Sequence, residues 1–237
     1  MTGDLKAATG RIEAPLLLAF LAIVVALAGF AALAAEAREG DIFRIDRVLL
    51  LAFRDPGHLD TPVGPRWVRE AARDITALGG FTVLTLISVS ATALLLVHRR
   101  RLQAAVFAAT VIAAEIASSV LKQTVDRARP ELVPHLDLVY SASFPSGHAM
   151  MSPVVYLTLA AVLAAGERPR GAKVLLLGGA GLLVLAVGIS RVYLGVHWPT
   201  DVLGGWALGC AIALAASIIL VRAAPRPLDT ATTSARD

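Results

Sequence analysis

Residues 190–201 read Ser190-Arg191-Val192-Tyr193-Leu194-Gly195-Val196-His197-Trp198-Pro199-Thr200-Asp201, and they separate two apolar runs, 174–189 and 202–221, that meet or approach membrane-spanning length. Proline is excluded from a helix interior but fits its first turn, so Pro199 predicts a helix that starts near Trp198. His197 then stands just outside that helix and Asp201 inside its opening turn, with the carboxylate in reach of the imidazole. Taken alone, the pair fits three readings: an orienter behind a metal-binding histidine, a pair that activates a nucleophile, or a polar helix entrance.

Working outward, the composition is that of an integral membrane protein. Of 237 residues, 57% are apolar, and the mean hydropathy is +0.71. The formal net charge is +4, but the basic residues stand in short clusters between apolar runs rather than in one stripe. That pattern reads as membrane topology and site chemistry, and it argues against nucleic-acid binding. Cys210 is the single cysteine, which excludes an intramolecular disulfide and a thiolate metal cluster.

Six apolar segments, 14–35, 75–97, 102–121, 149–165, 174–189 and 202–221, predict six transmembrane helices in an all-α polytopic domain over residues 1–222. The first is too long for a signal-peptide core and is expected to be retained. The short loops His98-Arg99-Arg100-Arg101 and 167–173 each carry three Arg or Lys, which places them and both termini in the cytoplasm. The 36–74 loop lies on the opposite face and carries seven Arg, which weakens this bias without reversing it.

Within that loop, Asp41 is expected to cap a short amphipathic helix, with Ile42, Ile45, Val48, Leu49, Ala52 and Phe53 on one side and Arg44, Asp46, Arg47 and Arg54 off it. It reads as an interfacial helix. A Pro- and Gly-rich turn over 55–65 and a second short helix from Trp67 to Asp74 complete the loop. The 223–237 tail is expected to be disordered and cytoplasmic. Glu115, near the bilayer midplane, is expected to make a structural hydrogen bond.

The remaining unusual residues share the outer face with the 190–201 stretch. Lys122 ends the third span, and Arg129 precedes Pro130, which restricts the backbone there. Pro145-Ser146-Gly147-His148 directly precedes the fourth span. Ser146 is expected to cap that helix, Gly147 to let an anion approach the backbone, and His148 to project from the first turn into a phosphate site at the helix N-terminus. Together these form a phosphate pocket. Arg129 and Arg191 are suited to grip phosphate oxygens and Lys122 to act as a point charge. His197 reads as a neutral nucleophile steadied by Asp201, and His148 as the acid that protonates the leaving group. No carboxylate cluster faces this level, so neither a metal nor another cofactor is expected.

Lys-x6-Arg-Pro at 122–130, Pro-Ser-Gly-His at 145–148 and Ser-Arg-x5-His-x3-Asp at 190–201 resemble the three-part signature of the type 2 phosphatidic acid phosphatase superfamily, in order and with its spacing. Six spans make the chain similar to the bacterial membrane members, and 73–80 resembles an element that recurs among them. The resemblance implies metal-independent hydrolysis of a lipid phosphate through a phosphohistidine on His197, with Asp201 in support and His148 as acid. It also implies phosphate binding by Lys122, Arg129, Ser146, Gly147 and Arg191. Expected substrates are undecaprenyl diphosphate, placed first, phosphatidylglycerol phosphate, phosphatidic acid and lipid A. The expected location is the bacterial inner membrane, with the active site on the periplasmic or extracellular face. The rival readings are a phosphotransferase with the same site and a non-enzymatic protein that binds or transports lipid headgroups.

Overall fold

The computed structural model describes residues 3–39 and 43–223, with side chains described from Ala14 onward. Its elements are almost all helical: α1 (Gly3–Glu39), α2 (Arg44–Leu51), α3 (Arg66–Leu78), α4 (Phe81–Val97), α5 (Arg101–Val125), α6 (Gly147–Ser152), α7 (Thr158–Gly166), α8 (Arg170–Tyr193) and α9 (Pro199–Arg222). Five helices, counting α6 and α7 as one span, are long and apolar enough to cross a membrane among the described residues. The α3–α4 pair supplies a sixth if its two arms are taken together. Large apolar side chains such as Leu17, Leu18 and Phe20 on α1 stay exposed, as expected where the surrounding solvent is hydrocarbon.

The predicted second span, 75–97, is interrupted. Ile75 to Leu78 belong to α3, which runs past the expected end at Asp74, and the chain bends by 42° before α4. The cause is a close approach. A Cβ on Gly79 would lie 2.3 Å from Val187 Cγ1 and 3.3 Å from the His148 ring, so the backbone can turn there only without a side chain. The fourth span is continuous but contains a π-helical turn at Pro153–Leu157, because Pro153 has no N–H to give to the regular ladder.

The 36–74 loop departs from an all-helical picture in one place. Arg54–Asp55 and His58–Pro62 pair as a small antiparallel hairpin, β1 and β2, where only a turn is expected. Asp41 lies outside the described residues, as does the tail from 224 onward. The α2 helix is preceded by Phe43, which offers no side-chain cap. Burial does not follow the expected division into faces: Asp46 and the apolar Leu50 are buried, while Ile45, Val48 and Leu49 and also the polar-face residues Arg44 and Arg47 are exposed.

At the centre, α9 packs against α1 and against α6. Gly209 lets it approach, since a Cβ there would meet the Met150 carbonyl oxygen at 2.3 Å. Met150, Val154, Val155, Phe107 and Leu220 form the main core beneath the site.

Candidate active site

Pro199 is the first residue of α9 and Trp198 its N-cap, as the sequence predicts. His197 therefore sits on the threshold, 98% buried. Its Nδ1 lies 3.4 Å from Asp201 Oδ2 and 3.4 Å from Ser143 Oγ. On the other side of the ring, Arg129 Nη1 approaches Nε2 at 3.2 Å. A guanidinium can only donate, so Nε2 must hold the lone pair and Nδ1 the proton. The tautomer follows from these contacts: the free electron pair faces the cationic side and the N–H faces Asp201.

Asp201 is not dedicated to the histidine. Its Oδ2 accepts from the Trp198 backbone N–H at 2.8 Å and from the Ser143 hydroxyl, and its Oδ1 accepts from Arg127 Nη1 at 2.7 Å. The Trp198 bond caps the α9 N-terminus. The contact with the imidazole is consequently looser than the close hydrogen bond the sequence suggests, because the carboxylate is shared among four partners.

The cations converge on the same ring. Burial holds the His197 imidazole well below 6.5, and the positive field of Arg129, Arg191 and Lys122, with His148 behind them, adds to the shift. Burial, and then the neighbouring Arg191, lower Arg129 to about 10. Arg129 is held by the Ser141 and Val196 carbonyls at 2.8 and 2.6 Å, and Lys122 Nζ by the Ala142 carbonyl at 2.8 Å. Buried Arg191 shares Nη1 between Thr76 Oγ1 at 2.9 Å and Asp137 Oδ2 at 2.6 Å. Its Nε is buried with no hydrogen-bond partner among the described residues.

Ser146 is at the N-cap of α6, but its hydroxyl does not cap the helix. The oxygen is buried and has no hydrogen-bond partner among the described residues. That corrects the expected side-chain cap: Ser146 is anchored through its backbone instead, by its N–H to the Asp201 carbonyl and by its carbonyl to the Met150 N–H. Gly147 and His148 are half-buried in the first turn, with the His148 ring against the Gly79–Gly80 bend. Lys122, Arg129, His148 and Arg191 thus lie close enough to His197 to act on its charge, with Asp201 on the Nδ1 side of the ring and Ser146 and Gly147 at the head of α6.

A cleft of about 610 Å³ between α4 and α5 reaches this site. Phe81, Leu84, Val89, Val111 and Ile112 make most of it apolar, and Gly147 and His148 of the site line it too. Glu115 lines it too, and also lines an adjoining polar hollow of about 390 Å³ shared with Lys122, Ser118 and Gly147. No hydrogen bond to Glu115 is formed among the described residues, contrary to expectation; it faces open space instead. Among the described residues, no group of three or more His, Cys, Asp or Glu is placed to hold a metal ion.

Several residues escaped the sequence reading. Arg127 pairs with both Asp201 and Asp46, at 2.7 and 2.8 Å, and its guanidinium lies 5.8 Å from the centre of the Trp198 ring. Two residues from Arg129, it passes for one more loop arginine. Ser143, Asp137, Thr76 and Asp46 carry no local signal, because each acts on a partner at least 50 residues away.

The bundle of apolar helices thus brings two histidines, a shared carboxylate and three cations to one end of the fold, and the class to which such a chain belongs is the membrane lipid phosphatases. The chain belongs to the PAP2 superfamily, whose model matches residues 103–224. It is 37% identical over 150 residues to phosphatidylglycerophosphatase B of Bacillus subtilis, covering 60% of this chain and 70% of that one. It is 40% identical over 68 residues to an undecaprenyl-diphosphatase of Sulfolobus acidocaldarius, 28% of each chain. The fold is similar to the crystal structure of a transmembrane PAP2 type phosphatidylglycerolphosphate phosphatase from Bacillus subtilis, with a TM-score of 0.68 and 29% identity over 83% of this chain and 94% of that one.

Proposed function

We propose that this protein removes the terminal phosphate from a lipid headgroup at the outer face of the membrane, through a covalent phosphohistidine on His197. The observation that carries the reading is the junction of an apolar, membrane-level cleft with a cationic pocket at Gly147 and His148. A lipid phosphate has those two halves in that order.

In the first step the Nε2 lone pair attacks phosphorus while the P–O bond to the lipid breaks, and the departing oxygen takes a proton from His148. Arg129 must release Nε2 for this attack. An arriving phosphate offers it a better acceptor than a neutral ring nitrogen. Arg191, Lys122, the α6 N-terminus and the unpaired Ser146 hydroxyl take the other phosphate oxygens and the charge that builds on them. Asp201 faces the Nδ1 proton and stabilises the imidazolium as it forms. In the second step water attacks the phosphohistidine and gives its proton to His148, the N–P bond breaks, and inorganic phosphate leaves with both histidines restored.

Phosphatidylglycerol phosphate now stands ahead of undecaprenyl diphosphate as the substrate. The relative named for the former is matched over 70% of its length, and the one named for the latter over 28%. Phosphate release from a panel of lipid phosphates and diphosphates by the detergent-purified protein tests the reading, beside His197→Ala and with a chelator. Release that persists in His197→Ala would remove the nucleophile, and release abolished by the chelator would count against a metal-free site. No release from any lipid would favour headgroup binding without catalysis.

We also propose that both termini lie in the cytoplasm and the pocket on the opposite face, a reading supported by the basic loops 98–101 and 167–173. A C-terminal reporter active only in the cytoplasm checks this, and silence there reverses the orientation.

A further inference from the structure

We infer that Asp46 is a positioning residue for the nucleophile: a carboxylate delivered by the interfacial α2 helix that holds Arg127, Thr200 and, through them, Asp201 in register behind His197. The inference rests on the phosphatase reading and adds to it a part of the outer loop.

The starting observation is a buried charge on a surface helix. Of the α2 residues, Ile45, Val48 and Leu49 are exposed, whereas Asp46 is wholly buried. A lone buried carboxylate is costly, and such groups are found paired. Asp46 is engaged three times over. Its Oδ1 accepts the Thr200 backbone N–H at 2.8 Å, one of the donors that the first turn of α9 leaves without an intrahelical partner. Its Oδ2 accepts Arg127 Nη2 and the Thr200 hydroxyl, each at 2.8 Å. The other arm of the same guanidinium, Nη1, donates to Asp201 Oδ1 at 2.7 Å and to Thr200 Oγ1 at 2.8 Å. One planar fork is thus stretched between two carboxylates, with Thr200 as the common post.

Two consequences follow for His197. The first is geometric: Arg127 and Thr200 have their directions set from the Asp46 side, so the Asp201 oxygens cannot rotate away from the Nδ1 proton. The second is electrostatic. An Arg127–Asp201 pair alone is neutral and does little for a histidine that gains positive charge on attack. Asp46 answers the guanidinium charge, which leaves a net negative charge behind the ring, opposite the pocket cations Arg129, Arg191 and Lys122. Both carboxylates accept at every contact recorded for them, which is what two ionised groups require.

Asp46→Asn removes the charge and keeps the shape. With the lipid phosphate that proves best in the panel, kcat is expected to fall on the order of tenfold, the scale of one charge acting through a protein interior. KM should stay within about twofold, since Asp46 does not touch the phosphate pocket. Asp46→Glu restores the charge and should recover much of the loss. In a double-mutant cycle with Asp201→Asn, the kcat effects should be strongly non-additive, because Asp46 works only through Asp201. A purely structural Asp46 would lower the melting temperature but leave kcat of the folded fraction unchanged, or give kcat effects that add. Either outcome overturns the proposal. Should Asp46→Asn not fold, Asp46→Ser takes its place with the same expectations, since it removes the charge without setting an amide N–H against Arg127. His197→Ala is run alongside: activity there would defeat the nucleophile assignment itself, whatever Asp46 does.

Discussion

His197 shows how burial and charge select a protonation state. Its ring is nearly inaccessible and faces cations, so the folded protein holds it neutral well below the ordinary value of 6.5. Between that value and the lower folded one, the unfolded chain binds the proton and the folded chain does not. Stability contributed by the neutral ring is therefore present above about pH 6.5 and is lost as pH falls below it. Thermal melts from pH 8 to 5 should show the midpoint falling on the acid side, with a shallower fall in His197→Gln. Activity should show no loss at pH 6.5 attributable to protonation of the nucleophile. Glu115 offers a second residue-level prediction. It stands where the apolar cleft meets the polar hollow, so its charge opposes a second phosphate in a diphosphate substrate. Glu115→Gln should raise kcat/KM for a lipid diphosphate relative to a monophosphate by about tenfold, the effect of one nearby like charge. An unchanged ratio would show that Glu115 does not meet the headgroup.

Among the elements, the glycine contacts set how closely helices carry the site residues to one another. Gly209 brings α9 against the Met150 carbonyl, and Gly79 lets the α3–α4 bend fold over His148 and Val187. Gly209→Ala forces a methyl into a 2.3 Å contact with backbone, which cannot swing aside as a side chain can. The expected cost is about 1–3 kcal/mol, read as a lower melting temperature in detergent. The 75–97 segment looks like a single span because hydropathy runs unbroken across it; the break depends on Val187 and His148, more than 65 residues away. The α2 helix is the converse case. Its two faces were legible from the helical period, but the burial of Asp46, alone among the polar residues of the helix, was not, because the same periodicity serves a side chain that meets water and one that meets a buried arginine. Arg127 and Thr200 hold Asp46 inward.

At the scale of the molecule, the cleft between α4 and α5 joins membrane to pocket, and it makes a selective prediction. Ala108→Trp, on the cleft wall, should raise KM for a long-chain lipid phosphate several-fold while a short, water-soluble phosphate ester is hydrolysed as before. Equal effects on both substrates would mean the cleft is not the tail's path. Much of this protein was legible along the chain. Apolar length announced spans, and the 122–130, 145–148 and 190–201 motifs singled out side chains that the fold brings near His197, because hydropathy and helix-start chemistry are local properties. Pro199 alone placed His197 on a helix threshold with Asp201 behind it. The rest needed three dimensions. The tautomer of His197, the unpaired Ser146 hydroxyl, the sharing of Asp201 with Ser143 and Arg127, and the burial of Asp46 all depend on groups far apart in sequence. Hydrogen-bond partners are chosen by proximity after packing, and no local pattern encodes a neighbour that only the folded chain supplies.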